Sequence, residues 1–132
     1  MSTDRLTDSM TVERLMGFFE ACNDHDIDRI VDYFTADCSY LGSAGPEDDG
    51  TPFRGIDEVR RGFTAFLAAY PDGQYTDIRL EVDGGRGMAQ WTFSGSSIKY
   101  RGVDIFEFSG NRIVLKDAFR KERSEPIGSR DS

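Results

Sequence analysis

The sequence predicts an α+β fold: a cone-shaped, curved antiparallel sheet wrapped by three N-terminal helices. Apolar residues recur at helical spacing in three segments before Pro71, then switch to strict alternation from Gln74 onward. Helices first and strands afterwards is the segregated order of an α+β domain, not the alternating order of a parallel sheet. The 132 residues suffice for one compact domain and are too few for two. A single domain over 1–132 follows, with an ordered core of about 9–122 and polar termini.

Along the chain, Met1 to Asp8 is polar, and Asp8 or Ser9 can cap the first helix. Val12, Leu15, Met16, Phe19 and Cys22 form its apolar face, with Phe18 beside it. Asn23-Asp24-His25 ends that helix, and Asp26 starts a shorter one carrying Ile27, Ile30, Val31 and Phe34. Cys38 to Leu41 reads as a short strand. A Gly/Pro/acidic loop follows from Gly42 to Pro52. Its acids, Glu47, Asp48 and Asp49, lack EF-hand spacing, so a solvated loop is the favoured reading. The third helix runs from Ile56 or Asp57 to Tyr70, with Asp57 and Glu58 suited to its N-terminus and Pro71-Asp72-Gly73 stopping it. Strands then follow: Ile78, Leu80 and Val82 alternate with acids and Arg79, and Ala89, Trp91 and Phe93 alternate with Met88, Gln90 and Thr92. A run from Ile98 to Phe108 and a last strand from Ile113 to Lys121 flank the turn Ser109-Gly110-Asn111, and Ser124 to Ser132 is a polar tail.

Composition excludes several functions. A net charge of -8 argues against nucleic acid as a partner, because phosphate binding needs a basic footprint. No apolar run reaches membrane-spanning length and the N-terminus lacks a secretory core, so a cytoplasmic protein with no membrane partner is expected. Cys22 and Cys38 match neither zinc nor redox spacing and read as small buried hydrophobes. His25, the only histidine, sits in a polar corner away from any nucleophile or metal ligand, so no metal and no cofactor are expected.

The strongest functional hint is a conflict. Strand alternation puts Asp104 on one face with Phe106 and Phe108. An uncompensated carboxylate there costs several kcal/mol. The conflict is relieved if the face is exposed at its edge, or if Arg101 or Lys116 neutralises the acid. A bent four-stranded sheet closed on one side by helices leaves a cone-shaped cavity, the default site for a small organic molecule.

The corner N-D-H-D-I-D, the following Y-F-T-A-D-C-S-Y, the helix start R-G-I-D-E-V-R-R-G-F and the strand pair G-V-D-I-F-E-F-S-G-N-R-I resemble the nuclear-transport-factor-2-like superfamily, and within it the SnoaL-like branch of polyketide-cyclase and ketosteroid-isomerase-like proteins. The resemblance spans about Thr11 to Lys121. It implies a cystatin-like α+β barrel, a pocket between helices and sheet, and a homodimer through the outer sheet face. Asp104 in G-V-D-I-F-E-F matches the acid that donates to the substrate oxyanion in ketosteroid isomerases. The place of the isomerase general base falls near Gly42 and that of its tyrosine on Phe18, so the chain is not a true ketosteroid isomerase. His25 lies in the wrong element for a His-Asp dyad. Arg101, Asp104 and Asp117 have the composition of an Asp-Arg-Asp hydrolase set but not its placement.

The reading is a cofactor-free enzyme of isomerase, cyclase or hydrolase type, with Asp104 as general acid or base and Asp117 as second candidate. Strict alternation from Ile113 puts Asp117 with Leu115 and Phe119, whereas the resemblance to the isomerases, compared without gaps, puts Ala118 in the pocket position and turns Asp117 outward; a one-residue bulge would decide between them. Tyr40, Trp91, Phe93, Phe106 and Phe18 are the candidate walls of a pocket for a small apolar ligand. The alternative is a non-catalytic binding domain of the same fold. Apolar residues on both faces of the last strands, among them Val103, Ile105, Val114 and Leu115, predict a two-fold homodimer through the outer face.

Overall fold

A computed structural model describes residues 8–124; the polar segments before Asp8 and after Ser124, including Pro126-Ile127, lie outside the described residues. Three helices, α1 (Val12–Asn23), α2 (Ile27–Asp32) and α3 (Ile56–Ala69), accompany six strands. The strands are β1 (Phe34–Leu41), β2 (Pro52–Arg54), β3 (Gln74–Asp83), β4 (Arg86–Ser94), β5 (Lys99–Ser109) and β6 (Arg112–Arg120). No described helix is long and apolar enough to cross a membrane.

Local chemistry sets the helix ends. Thr11, rather than Asp8 or Ser9, caps α1, its hydroxyl accepting from the Arg14 N–H at 3.1 Å. Asp26 caps α2 in the same way through the Arg29 N–H at 3.2 Å. His25 between them adopts φ 54, and its Nε2 lies 3.0 Å from the Gly73 carbonyl oxygen. The histidine therefore ties the helical corner to the turn before β3. α2 stops at Asp32, short of the expected Phe34, because Phe34 already pairs with Ile113 of β6 and is buried. In α3, Asp57 and Glu58 occupy the first turn, and the Glu58 carboxylate accepts from the Arg54 N–H at 2.9 Å.

The sheet has six strands in the order β2-β1-β6-β5-β4-β3, not four. The segment before α3, expected as loop, supplies the edge strand β2, which pairs antiparallel with β1 through Leu41 and Pro52. Pro52 is tolerated there because an edge strand has a free side. β1 lies parallel to β6, the one parallel pair in a sheet expected to be wholly antiparallel.

Two bulges decide which residues face the helices. In β3 one extra residue near Asp77, at φ 53, lets Tyr75 and Ile78 both turn inward. In β6, Glu107 pairs with Leu115 while Phe108 pairs with Ile113, so Val114 is the extra residue. Ile113, Lys116 and Ala118 then face in.

The interior is aromatic. Phe18 packs edge-on against Phe19, Tyr33, Phe34, Phe63 and Phe106, with centroid separations between 5.1 and 6.2 Å. Such pairs each add about 0.5–1.5 kcal/mol beyond area burial. Cys22 and Cys38 are free and buried, as small hydrophobes. On the outer face, Ile105 and Phe119 are exposed, while Met88, Val103, Val114 and Leu115 are half-buried.

Candidate functional site

Asp104 sits in the middle of β5, opposite Ala89 on β4 and Ala118 on β6. Two small neighbours leave its inner side to larger groups. It is 0% exposed, and Lys116 on the same face of β6 is 1% exposed. The Lys116 Nζ donates to Asp104 Oδ1 at 3.2 Å. The same ammonium lies 4.6 Å from the Tyr40 ring centroid and 5.8 Å from that of Phe63. Of the two cations considered from sequence, Lys116 is the partner; Arg101 is exposed, on the outer face.

The pair leaves one half of the carboxylate unmatched. Asp104 Oδ2 and the Trp91 indole Nε1 are buried without a well-formed hydrogen bond, although the Trp91 N–H lies close enough to the carboxylate to act on it. Burial pushes the Asp104 pKa up, and Lys116, with a smaller effect of the Trp91 N–H, only partly draws it back. Burial alone would lower Lys116, but Asp104, Tyr40 and Cys22 together outweigh it and hold it above its ordinary value. The result is an ion pair sealed in an apolar interior.

The candidate walls are mostly core. Phe18, Phe93 and Phe106 are 1% exposed or less and Trp91 is 3% exposed. Rings thus fill the space expected as an open cone, and a zero exposure at Asp104 leaves no water-sized gap against it. Tyr40 is the exception among the five. It stacks on Phe63 at 4.6 Å and also lines a cleft of about 270 Å³ at the mouth of the cone, with Phe53, Phe66, Tyr70, Tyr100 and Arg120.

Asp117 does not join Asp104. The Val114 bulge turns it to the outer side, opposite Ile105, where it is half-buried in a small recess with Asp48 and Asp49. Its pKa is raised by burial first and then by Asp49 and Asp104. Among the described residues no cluster of three acids, histidines or cysteines is arranged to hold a metal ion.

Sequence reasoning missed the mouth. Tyr100, Tyr70 and Arg120 come from β5, the end of α3 and β6. The available signal was the inward parity of Tyr100 with Asp104. Arg120 needed the bulge before its parity could be read.

Comparison with known proteins agrees with this architecture. A family model described as "SnoaL-like domain" matches residues 15–116. No curated protein matches the sequence. Among solved structures, an NTF2-like protein of unknown function from Mesorhizobium loti superposes with a TM-score of 0.72 at 21% identity, covering 92% of this chain and 98% of that one. A candidate ketosteroid isomerase from Kribbella flavida gives a TM-score of 0.69 at 20% identity, covering 90% of this chain and 83% of that one. A candidate polyketide cyclase from Sinorhizobium meliloti gives 0.68 at 19% identity, covering 82% and 94%. At such identities these likenesses speak for the fold alone. With 102 of 132 residues inside the family match, the chain belongs to the SnoaL-like domain family.

Proposed function

We propose that this protein binds a small, largely apolar organic molecule at the mouth of its cone. The observation that carries the reading is the cleft of about 270 Å³ bounded by Tyr40, Phe53, Phe66, Tyr70 and Tyr100. At about 270 Å³ it lies just under the roughly 300 Å³ at which ligand pockets start, so it suits a small body of one or two rings. The tyrosines combine apolar faces with hydroxyl tips, which orient a ligand by one or two hydrogen bonds. A binding domain needs no tuned acid–base pair, and Asp104 is sealed behind Tyr40 and bound to Lys116.

Acid–base catalysis by Asp104, of isomerase, cyclase or hydrolase type, is the second reading. Asp104 Oδ2 and the Trp91 N–H, buried near each other without a well-formed hydrogen bond, favour it, because a deeper-seated substrate would satisfy both. NMR titration with 2-naphthol separates these readings. Shifts at Tyr40, Tyr70 and Tyr100 without movement of the Asp104 carboxyl resonance are expected for binding at the mouth. Movement of the Asp104 resonance would favour catalysis, and shifts confined to the outer groove lined by Met88, Val103 and Phe119 would sink both.

Association is the second part of the proposal. Ile105 and Phe119 are 40% and 51% exposed, beside half-buried Met88 and Val103, on a face that no helix covers among the described residues. A two-fold dimer burying this face is the occupant that matches like with like. Light scattering at micromolar concentration should then report about twice the 14.8 kDa chain mass. Ile105→Lys should return it to one chain mass. A wild-type monomer at that concentration would overturn the dimer and favour cover by the segment after Glu122.

A further inference from the structure

We propose that the ligand of the mouth cleft carries a carboxylate, and that Arg120 is the residue that selects it. The inference rests on the cleft proposed above as the binding site and names the chemistry of its occupant.

The inward face of β6 carries two cations. Lys116, at the base, is neutralised by Asp104. Ala118 follows, its small side chain buried, and Arg120 comes next at the mouth. Arg120 forms no ion pair with any described carboxylate. Its guanidinium instead lies over the Tyr100 ring, 4.8 Å from the centroid. Tyr100 is thus its neighbour by both ring and hydroxyl, which holds the guanidinium in place and engages only part of its five N–H donors. The guanidinium is a planar fork matched to the two oxygens of a carboxylate, and one already held in place loses less freedom on binding.

The surroundings point the same way. A second groove of about 230 Å³ adjoins the cleft and shares Tyr100 and Arg120 with it. Lys99, Lys121 and Arg123 line this groove, against the single acid Glu122. Strand pairing and the Arg123 guanidinium, 3.5 Å from the Lys99 carbonyl, hold the four cations together at one end of β5 and β6. Four of the chain's 16 lysines and arginines thus line the groove that adjoins the cleft, and Arg120 lines both, in a protein whose net charge is -8. A chain of that charge repels anions over most of its surface, so a local positive rim is what lets one approach. The apolar cleft takes the ring body, and Arg120 takes the charged head.

The test compares 2-naphthoate with its neutral counterpart 2-naphthalenemethanol by calorimetry, with NMR shifts locating each. Naphthoate is expected to bind about tenfold more tightly, the order of one charge-assisted hydrogen bond. Shifts should fall at Tyr70 and Tyr100, and the advantage should shrink with added salt. Arg120→Gln should abolish the preference, so that the variant binds the two compounds equally, whereas Lys121→Gln, outside the cleft lining, should keep it. If both compounds bind the cleft equally, or Arg120→Gln keeps the preference, the carboxylate inference falls and the cleft stands as a binding site. If naphthoate moves only Lys99, Lys121 and Arg123, the association is superficial and the inference falls. If neither compound moves the cleft residues, the inference and the proposed site fall together.

Discussion

Replacing Lys116 with methionine is expected to lower the unfolding free energy by about 3–5 kcal/mol, the cost of leaving a buried charge without its partner. Lys116 is the only cation against the Asp104 carboxylate among the described ion pairs, and neither side chain touches solvent. Methionine keeps an unbranched apolar stem one atom shorter, so most of the loss reports the charge, including the ammonium's contacts with the Tyr40 and Phe63 rings. Urea unfolding followed by circular dichroism measures it. The double variant Asp104→Leu, Lys116→Met should recover most of the loss, because an apolar pair escapes the desolvation that the ion pair carries. The loss in Lys116→Met should also shrink at acid pH. Burial already raises the Asp104 pKa, so the folded state favours the protonated acid; that preference is fully present below the unfolded value of 3.8 and lost as pH rises through the folded value. A Lys116→Met variant within about 1 kcal/mol of wild type at neutral pH would contradict the pair's role, given the size of the penalty for a lone buried ion.

Alkaline solution should unfold the protein between about pH 9 and 12. Burial pushes the Cys22 thiol from 9.0 to about 12 and the Cys38 thiol from 9.0 to about 11. Burial likewise raises Tyr40 and Tyr75 above 10.0. Lys116 rises above 10.5 because Asp104 and its other neighbours outweigh its burial. All five folded values exceed the unfolded ones, so across this window the folded chain holds protons that the unfolded chain has released. Stability is then fully present below pH 9 and is lost as pH rises, by about 1.4 kcal/mol per pH unit for each group caught between its two values. Thermal midpoints from pH 8 to 11 should fall with increasing slope. Cys22→Ala, which removes the more strongly raised of the two thiols that begin to matter at pH 9, should flatten the curve between pH 9 and 10. Parallel curves for the two proteins would show that the thiol is not held in the apolar interior.

Much of the architecture was legible without coordinates, because it rests on local rules. Spacing of apolar residues marked the three helices, and alternation marked β3 to β6 within a residue or two at most ends. The segregated order gave the α+β class, and the motif order from Thr11 to Lys121 gave the family. Asp104 was legible for the same reason: period two fixes its face relative to Phe106 and Phe108, and an acid on an aromatic face is anomalous wherever the strand lies.

What the sequence could not decide were quantities set between elements. A three-residue strand such as β2 carries too few residues for a periodic signal and forms because β1 offers a free edge. Whether Asp117 or Lys116 faced inward turned on one extra residue at Val114, and a bulge is a property of two paired strands rather than of either alone. Whether the cone was open depended on how Phe18, Phe63 and Phe106 from three separate elements met, since filling is a matter of packing volume rather than pattern. By itself, then, the sequence determined the elements, their order and the presence of a charge in the core. Only the tertiary structure decided which cation answers that charge, and that the cleft and Arg120, held by Tyr100, lie at the mouth, because register and packing depend on contacts between residues far apart in the chain.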